Sequence, residues 1–326
     1  MSTRSSLAIA IPAYNRGKIL EANLILMRPA LEACGIGVHV FDDSSDDETC
    51  SAVQRLKAQT AIDISYTRNV PSLGHDANVI RALTAPDTDF TWLLADAVYV
   101  EPAELTAVFH HLKKQDFLFA NSRTEQNVQQ VDDVPSECFV EFIAERAWDF
   151  TITGATLYSR RVVAWWCSVE GRRTYKNFPQ ISVILGYAAS AQAVNATWIG
   201  KRTIRVHSGK AGSYWLNSAI DVWCKDWYDV VDAHRSLFHC DVLAAVFKSH
   251  CQHTGYLSGL HLLAMRSLGK YARPVWRRYL KELVATSTVP AWGLALLAHM
   301  PQCLAQAIMD RKRKWRVQFL PPTTAP

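Results

Sequence analysis

The sequence predicts an α/β fold built on a doubly wound, mostly parallel sheet, with a helical C-terminal extension. Three observations lead there. Between residues 7 and 96 short apolar runs alternate with helical spacings four times over, which is the strand–helix alternation of a parallel sheet. Each of those runs ends in polar or conformationally special residues. After about residue 220 the strand pattern gives way to helical periodicity and an excess of basic residues.

Leu7 to Arg16 reads as a buried strand that runs into a loop at Pro12, Tyr14 and Asn15. From Arg16 to Cys34 the apolar residues Ile19, Leu20, Leu24, Met27 and Leu31 keep helical spacing, and Pro29 is expected to kink or split that helix. Val38 to Phe41 is a second strand, ending in the acidic run Asp42 to Glu48. Ser45 and Glu48 stand at capping-box spacing, so a helix is expected through Leu56. Ile62 to Tyr66 is a third strand, and the loop from Arg68 leads by way of Gly74 and Asn78 into a helix ending near Leu83. Phe90 to Ala95 is the fourth strand and delivers Asp96 at its end; Pro102 then stops the chain before a helix over Ala103 to Lys114.

In a parallel sheet the four strand ends lie along one edge, where such folds bind ligands. That edge would gather Pro12, Tyr14, Asn15, Arg16, Asp42, Asp43, Asn69, Gly74, Asn78 and Asp96. Tyr14 suits stacking on a base, an Asp after the second strand suits a base N–H or a ribose hydroxyl, and Gly74 permits close backbone approach.

At 326 residues, 49% apolar and 20% charged, the chain can bury a full core and is not of the disordered class. Eight cysteines without paired spacing, and an apolar start broken by Pro12, lead us to expect a reducing, cytoplasmic setting. The net charge of +5 is uneven: from residue 261 onward eleven Lys and Arg face two acids, leaving the rest of the chain at −4. A near-neutral body with a basic tail argues against nucleic acid as a partner and for an anionic membrane surface met by the C-terminus.

Four ordered stretches, Ile9-Ala-Ile-Pro-Ala-Tyr-Asn15, Phe41-Asp-Asp-Ser-Ser-Asp46, Arg68-Asn69 with Gly74 and Asn78, and Trp92-Leu-Leu-Ala-Asp96 with Pro102, resemble the successive signatures of family 2 glycosyltransferases of GT-A fold. The resemblance spans roughly residues 7–220. It implies an inverting transferase using a nucleotide diphosphate sugar donor, with the nucleoside held by the Pro-x-Tyr-Asn loop and the acid after the second strand. It also implies a divalent cation, Mg²⁺ or Mn²⁺, on the pyrophosphate, with Asp96 and a late histidine, His207, as its ligands. Two departures stand out. Val98 occupies the place of the last acid of the usual Asp-x-Asp, and it offers a cation no oxygen. The family's Glu-Asp base region corresponds to Arg172–Gln180, which contains no acid. Asp149, in Trp148-Asp-Phe-Thr-Ile-Thr-Gly154, is the first choice for the base because that stretch resembles an acceptor-side segment.

Lys201, Arg202, Arg205 and Lys210 make the loop around His207 an expected diphosphate clamp, with Arg205 the leading contact. Histidines 234, 239, 250, 253 and 261 lack zinc-ligand spacing, and no zinc site is expected. Ala291 to Ile308 is apolar but interrupted by Gly293, His299 and Pro301, which fits an interfacial helix pair better than a span. The expected organisation is a catalytic domain over 1–220, a membrane-associated helical region over 221–316 and a disordered tail over 317–326. The acceptor implied is a glycan or a polyprenyl-linked sugar at the inner face of a bacterial membrane. The alternative is a noncatalytic nucleotide-sugar-binding subunit; a nucleotidyltransferase would want a better Gly-rich loop than Arg16-Gly-Lys18.

Overall fold

In the computed structural model, which describes residues 6–46, 48–122, 131–210 and 218–311, the four apolar runs become β1 (Leu7–Ala13), β2 (Gly37–Asp42), β3 (Ile64–Arg68) and β4 (Phe90–Leu93). All four are parallel, side by side in the order β3-β2-β1-β4, with Pro12 opposite Phe41 and Ala13 opposite Asp42. Between them run α1 (Gly17–Cys34), α2 (Glu48–Gln59) and α3 (His75–Thr84). Leu7, Ile9 and Trp92 are fully buried at the centre of this layer.

Pro29 does not split α1, which is continuous. The carbonyl that Pro29 leaves without a helical donor belongs to Ile25, and both residues are exposed, so water can take its place. The expected capping box does not form either. Ser45 bonds to Asn15, and it is Asp46 Oδ1 that accepts from the Glu48 N–H at 3.0 Å. The third strand lies two residues later than its hydrophobic run implied.

Beyond β4 the chain adds β5 (Val98–Val100), α4 (Pro102–His110), β6 (Phe117–Asn121), β7 (Val131–Val134), α5 (Phe139–Arg146), β8 (Thr156–Ser159), α6 (Arg160–Ser168), α7 (Pro179–Ser190), β9 (Ala196–Arg202) and β10 (Ile204–Val206). The sheet extends as β4-β8-β6-β9-β7, with β8 antiparallel to both β4 and β6. The result is the mixed, mostly parallel sheet of a GT-A-type fold, and β5 and β10 form a separate antiparallel ladder.

The chain divides into two units, Met1–Ile143 with Asp149–Lys210 and Ala144–Trp148 with Ala211–Pro326. The expected domain boundary at residue 220 thus falls about ten residues late, and the short piece around Trp148 belongs to the second unit, where Trp148 stacks on His253 at 5.1 Å. That unit holds α8 (Trp227–Ala233), α9 (Cys240–Thr254), α10 (Gly259–Ser267), α11 (Arg273–Arg278), α12 (Leu280–Thr286), α13 (Ala291–His299) and α14 (Gln302–Arg311). Two of its histidines serve packing. His250 lies 4.0 Å from the Trp223 ring, and burial pushes its pKa down to about 3. His261 Nδ1 accepts from the Leu257 N–H, and burial lowers it to about 4. The expected interfacial helix pair is α13 and α14, separated at Pro301; no helix among the described residues is long and apolar enough to cross a membrane. Residues 312–326, including most of the basic run and the tail expected to be disordered, lie outside the described residues.

Candidate active site

The site grows from the ends of β1, β2, β3 and β4. After β1 the chain turns through Asn15, whose φ of 51° is in the left-handed region that Asn tolerates better than most residues. The turn is fastened to the end of β2: Asn15 N–H donates to Ser44 Oγ at 2.8 Å, and Ser45 N–H donates to Asn15 Oδ1 at 2.9 Å. Gly17 follows because a Cβ there would sit 2.5 Å from the Glu48 carbonyl oxygen. Tyr14 is left 55% exposed at the rim, its ring available to a ligand.

Asp42, the last residue of β2, and Asp43, the next, face inward. Asp42 accepts from the Ser44 N–H at 3.0 Å, from the Ser44 hydroxyl, and from the Tyr66 hydroxyl at 2.7 Å. Asp43 accepts four bonds: Oδ1 from Asn69 Nδ2 (2.8 Å) and the Leu73 N–H (2.7 Å), Oδ2 from the Ser72 hydroxyl (2.6 Å) and the Gly74 N–H (2.9 Å). Burial works to raise its pKa, but the bonds from Ser72, Leu73, Asn69 and Gly74 outweigh it and hold the carboxyl below its ordinary value. Four bonds saturate a carboxylate. In this structure Asp43 thus builds the loops around the site rather than presenting a free carboxylate, and Asp42, with three bonds, braces the same turn. Asn69 and Asn78 share that task, since Asn69 Nδ2 also donates to Asn78 Oδ1 (2.9 Å) and Asn78 Nδ2 donates to the Phe41 carbonyl (3.0 Å). Gly74 is required by conformation, with φ 80° and open space where a Cβ would be.

Asp96 stands three residues past the end of β4 and is 3% exposed. Its Oδ2 accepts from the Tyr14 N–H at 3.0 Å, and its Oδ1 pairs with Arg16 Nη1 at 2.8 Å. Asn23 Nδ2, on α1, donates to the Asp96 carbonyl at 3.0 Å and fixes the turn. Val98 is buried, its methyl lying 3.4 Å from where a Gly154 Cβ would be. The β5–β10 ladder pairs Val206 with Val98 and then joins the His207 N–H to the Ala97 carbonyl at 2.9 Å. Asp96 and His207, 111 positions apart in the chain, thereby become neighbours. Lys210, whose N–H donates to the His207 carbonyl, is close enough to Arg16 and Asp96 to feel both charges. Burial first, and Arg16 second, depress its pKa; Asp96 opposes them. Arg205 stands aside, with Nε 3.2 Å from Glu101, and Lys201 is paired with Glu104.

A resident divalent cation does not fit this donor set. Each oxygen of Asp96 already accepts one bond, that on Oδ1 from the Arg16 cation, Val98 supplies no oxygen, and His207 Nδ1 accepts from the Gly209 N–H at 3.0 Å, which places the neutral ring's proton on Nε2. Among the described residues no group of three or more His, Cys, Asp or Glu is arranged to hold a metal. Arg16 and Lys210 would repel a cation placed beside Asp96.

Asp149 also needs correction. It has no solvent exposure, and Ser122 donates to its Oδ1 at 2.8 Å, so it cannot receive a proton from an acceptor at the surface. The acid that does reach the Arg172–Gln180 loop comes from α3: Asp76 Oδ2 accepts from the Asn177 N–H at 3.0 Å, while its Oδ1 pairs with His75 Nδ1 at 2.7 Å. Both side chains are partly open to solvent. Sequence reasoning missed this pair, for which the only signal was a His-Asp dipeptide at a helix start after Gly74.

No protein-family model and no curated protein matches the chain. Solved structures do. S. aureus TarS 1-349 in complex with UDP-GlcNAc superposes with a TM-score of 0.60 at 15% identity, over 95% of this chain and 92% of that one. The mannosyltransferase PcManGT from Pyrobaculum calidifontis, in complex with GDP-Man and Mn²⁺, superposes with a TM-score of 0.54 at 14% identity, over 97% and 84%. At such identities the likeness establishes the shared fold.

Proposed function

We propose that the chain is an inverting glycosyltransferase that moves a sugar from a nucleotide diphosphate sugar to a glycan or polyprenyl-linked acceptor in bacterial surface polysaccharide synthesis. The observation that carries this is the meeting of Tyr14, Arg16, Asp96 and Lys210 at one sheet edge in a fold shared with structures that bind UDP-GlcNAc and GDP-Man. The exposed Tyr14 ring stacks on the base, with Pro12 and Asn15 shaping the turn beside it. Asp42, Asp43, Asn69, Gly74 and Asn78 hold the surrounding loops rigid. The acceptor oxygen bonds to the anomeric carbon as the bond to the diphosphate breaks, and the diphosphate leaves with the electron pair. His75, oriented by Asp76, takes the acceptor's proton, as an imidazole held by a carboxylate does in other group-transfer sites.

The second unit supports work at the inner face of the membrane. Trp292 and Leu296, one turn apart on α13, are 73% and 59% exposed, and the neighbouring α11 carries Arg273, Arg277 and Arg278. An apolar stripe beside basic side chains matches an anionic lipid surface, with Trp at headgroup level.

A noncatalytic nucleotide-sugar-binding subunit is the second reading, favoured by the burial of Asp149 and by the absence, among the described residues, of acids and histidines grouped to hold a metal. A panel of UDP-, GDP- and TDP-sugars tested for thermal stabilisation checks the donor site common to both. One donor raising the melting temperature by several degrees is the expected result; none doing so would remove both readings.

A further inference from the structure

We propose that Arg16, held on Asp96, and Lys210 take the place of a divalent cation at the donor diphosphate. This inference rests on the nucleotide-sugar reading above and assigns how its leaving group is neutralised. When the anomeric bond breaks, the diphosphate gains one negative charge, and something positive must already stand beside it. The carboxylate at the end of β4, Asp96, would serve that end in a metal enzyme by gripping the cation. Here its Oδ1 grips Arg16 Nη1 at 2.8 Å instead.

The geometry is that of a fixed cation rather than of a surface ion pair. Asp96 is 3% exposed and is oriented by the Tyr14 N–H on its other oxygen, while its carbonyl is held by Asn23. The Arg16 side chain remains 29% exposed, and a guanidinium has five N–H donors, so Nη2 and Nε retain bonds to offer phosphate oxygens. Lys210 follows β10, its N–H on the His207 carbonyl and its side chain close enough to Asp96 and Arg16 to feel both charges, and adds a second positive charge. Arg205 and Lys201, which also border this loop, are already paired with Glu101 and Glu104. Val98, buried against Gly154, offers no oxygen where a second ligand acid would stand, which matches a site that has dispensed with the ion.

Calorimetric titration of the full chain with UDP, GDP and TDP, each in chelator and in millimolar Mn²⁺, tests this. The expected result is that one nucleotide binds equally well in both conditions, that Arg16→Ala and Lys210→Ala each weaken it by about 10- to 100-fold, and that Mn²⁺ does not rescue Lys210→Ala. Because Arg16→Ala strands a buried carboxylate, the double variant Arg16→Ala with Asp96→Asn, which removes both charges, is measured beside it and should bind as weakly. Binding that disappears in chelator and returns with Mn²⁺, or variants that bind as tightly as the parent, would overturn the proposal. Binding of none of the three nucleotides in either condition would remove the nucleotide-sugar reading itself and this inference with it.

Discussion

Arg16 and Asp96, 80 positions apart, form an ion pair of 2.8 Å across the ends of the adjacent strands β1 and β4. Their pairing makes the strand-end acid the anchor of a cation. Asp96→Asn keeps an oxygen for the Tyr14 N–H but loosens Arg16. Its nucleotide affinity should therefore fall by about tenfold in chelator and stay there when Mn²⁺ is added.

Lys210 makes that affinity depend on pH. Burial and Arg16 lower its pKa, so the free protein loses this positive charge at a lower pH than an ordinary lysine does. The diphosphate prefers the protonated amine, so affinity should decline as pH rises through the depressed pKa. Titrations between pH 7 and 10 should show that decline in the parent and a flatter profile in Lys210→Arg. An identical slope in both would place Lys210 away from the phosphates.

Asp43 is a stability residue. Its lowered pKa means that its contribution is fully present above the ordinary Asp range and is lost as pH falls through the folded-state value. Asp43→Ala leaves the Leu73 and Gly74 N–H groups without their acceptor and should cost about 2–4 kcal/mol by denaturant unfolding at neutral pH. An unchanged midpoint would show that the loop does not depend on it.

The His75–Asp76 pair should govern turnover without governing donor binding. His75→Ala is expected to lower kcat by about a hundredfold or more with little change in nucleotide affinity, and Asp76→Asn to shift the pH profile. Normal turnover in His75→Ala would move the base elsewhere.

Trp292 and Leu296 should matter only at a membrane. Replacing both by Ser should reduce sedimentation with anionic vesicles by about tenfold or more while leaving soluble donor binding intact. Equal recovery with neutral and anionic vesicles in the parent would contradict the proposed surface.

Much of the fold was legible because its signals are local. The apolar runs of β1, β2 and β4, the strand-end residues and the break at Pro301 all follow from neighbouring side chains. What failed depended on partners far along the chain. Ser45 reads as a cap until Asn15, 30 positions away, takes it. Asp43 reads as a ligand acid until the loop carrying Ser72, Leu73 and Gly74 folds over it. Asp149 reads as an available base because sequence does not show that Ser122 and the core close around it. The meeting of Asp96 with His207 and Lys210 depends on the three-residue strands β5 and β10, too short to carry a periodicity of their own.

Sugar transfer from a nucleotide diphosphate donor is assayed by incubating the protein with the donor that stabilises it, together with membrane acceptor, and following nucleotide diphosphate release and product configuration by NMR. Turnover giving a product of inverted anomeric configuration, lost in Arg16→Ala, is the predicted result. Donor binding without any release of nucleotide diphosphate would contradict it and leave a binding subunit in its place.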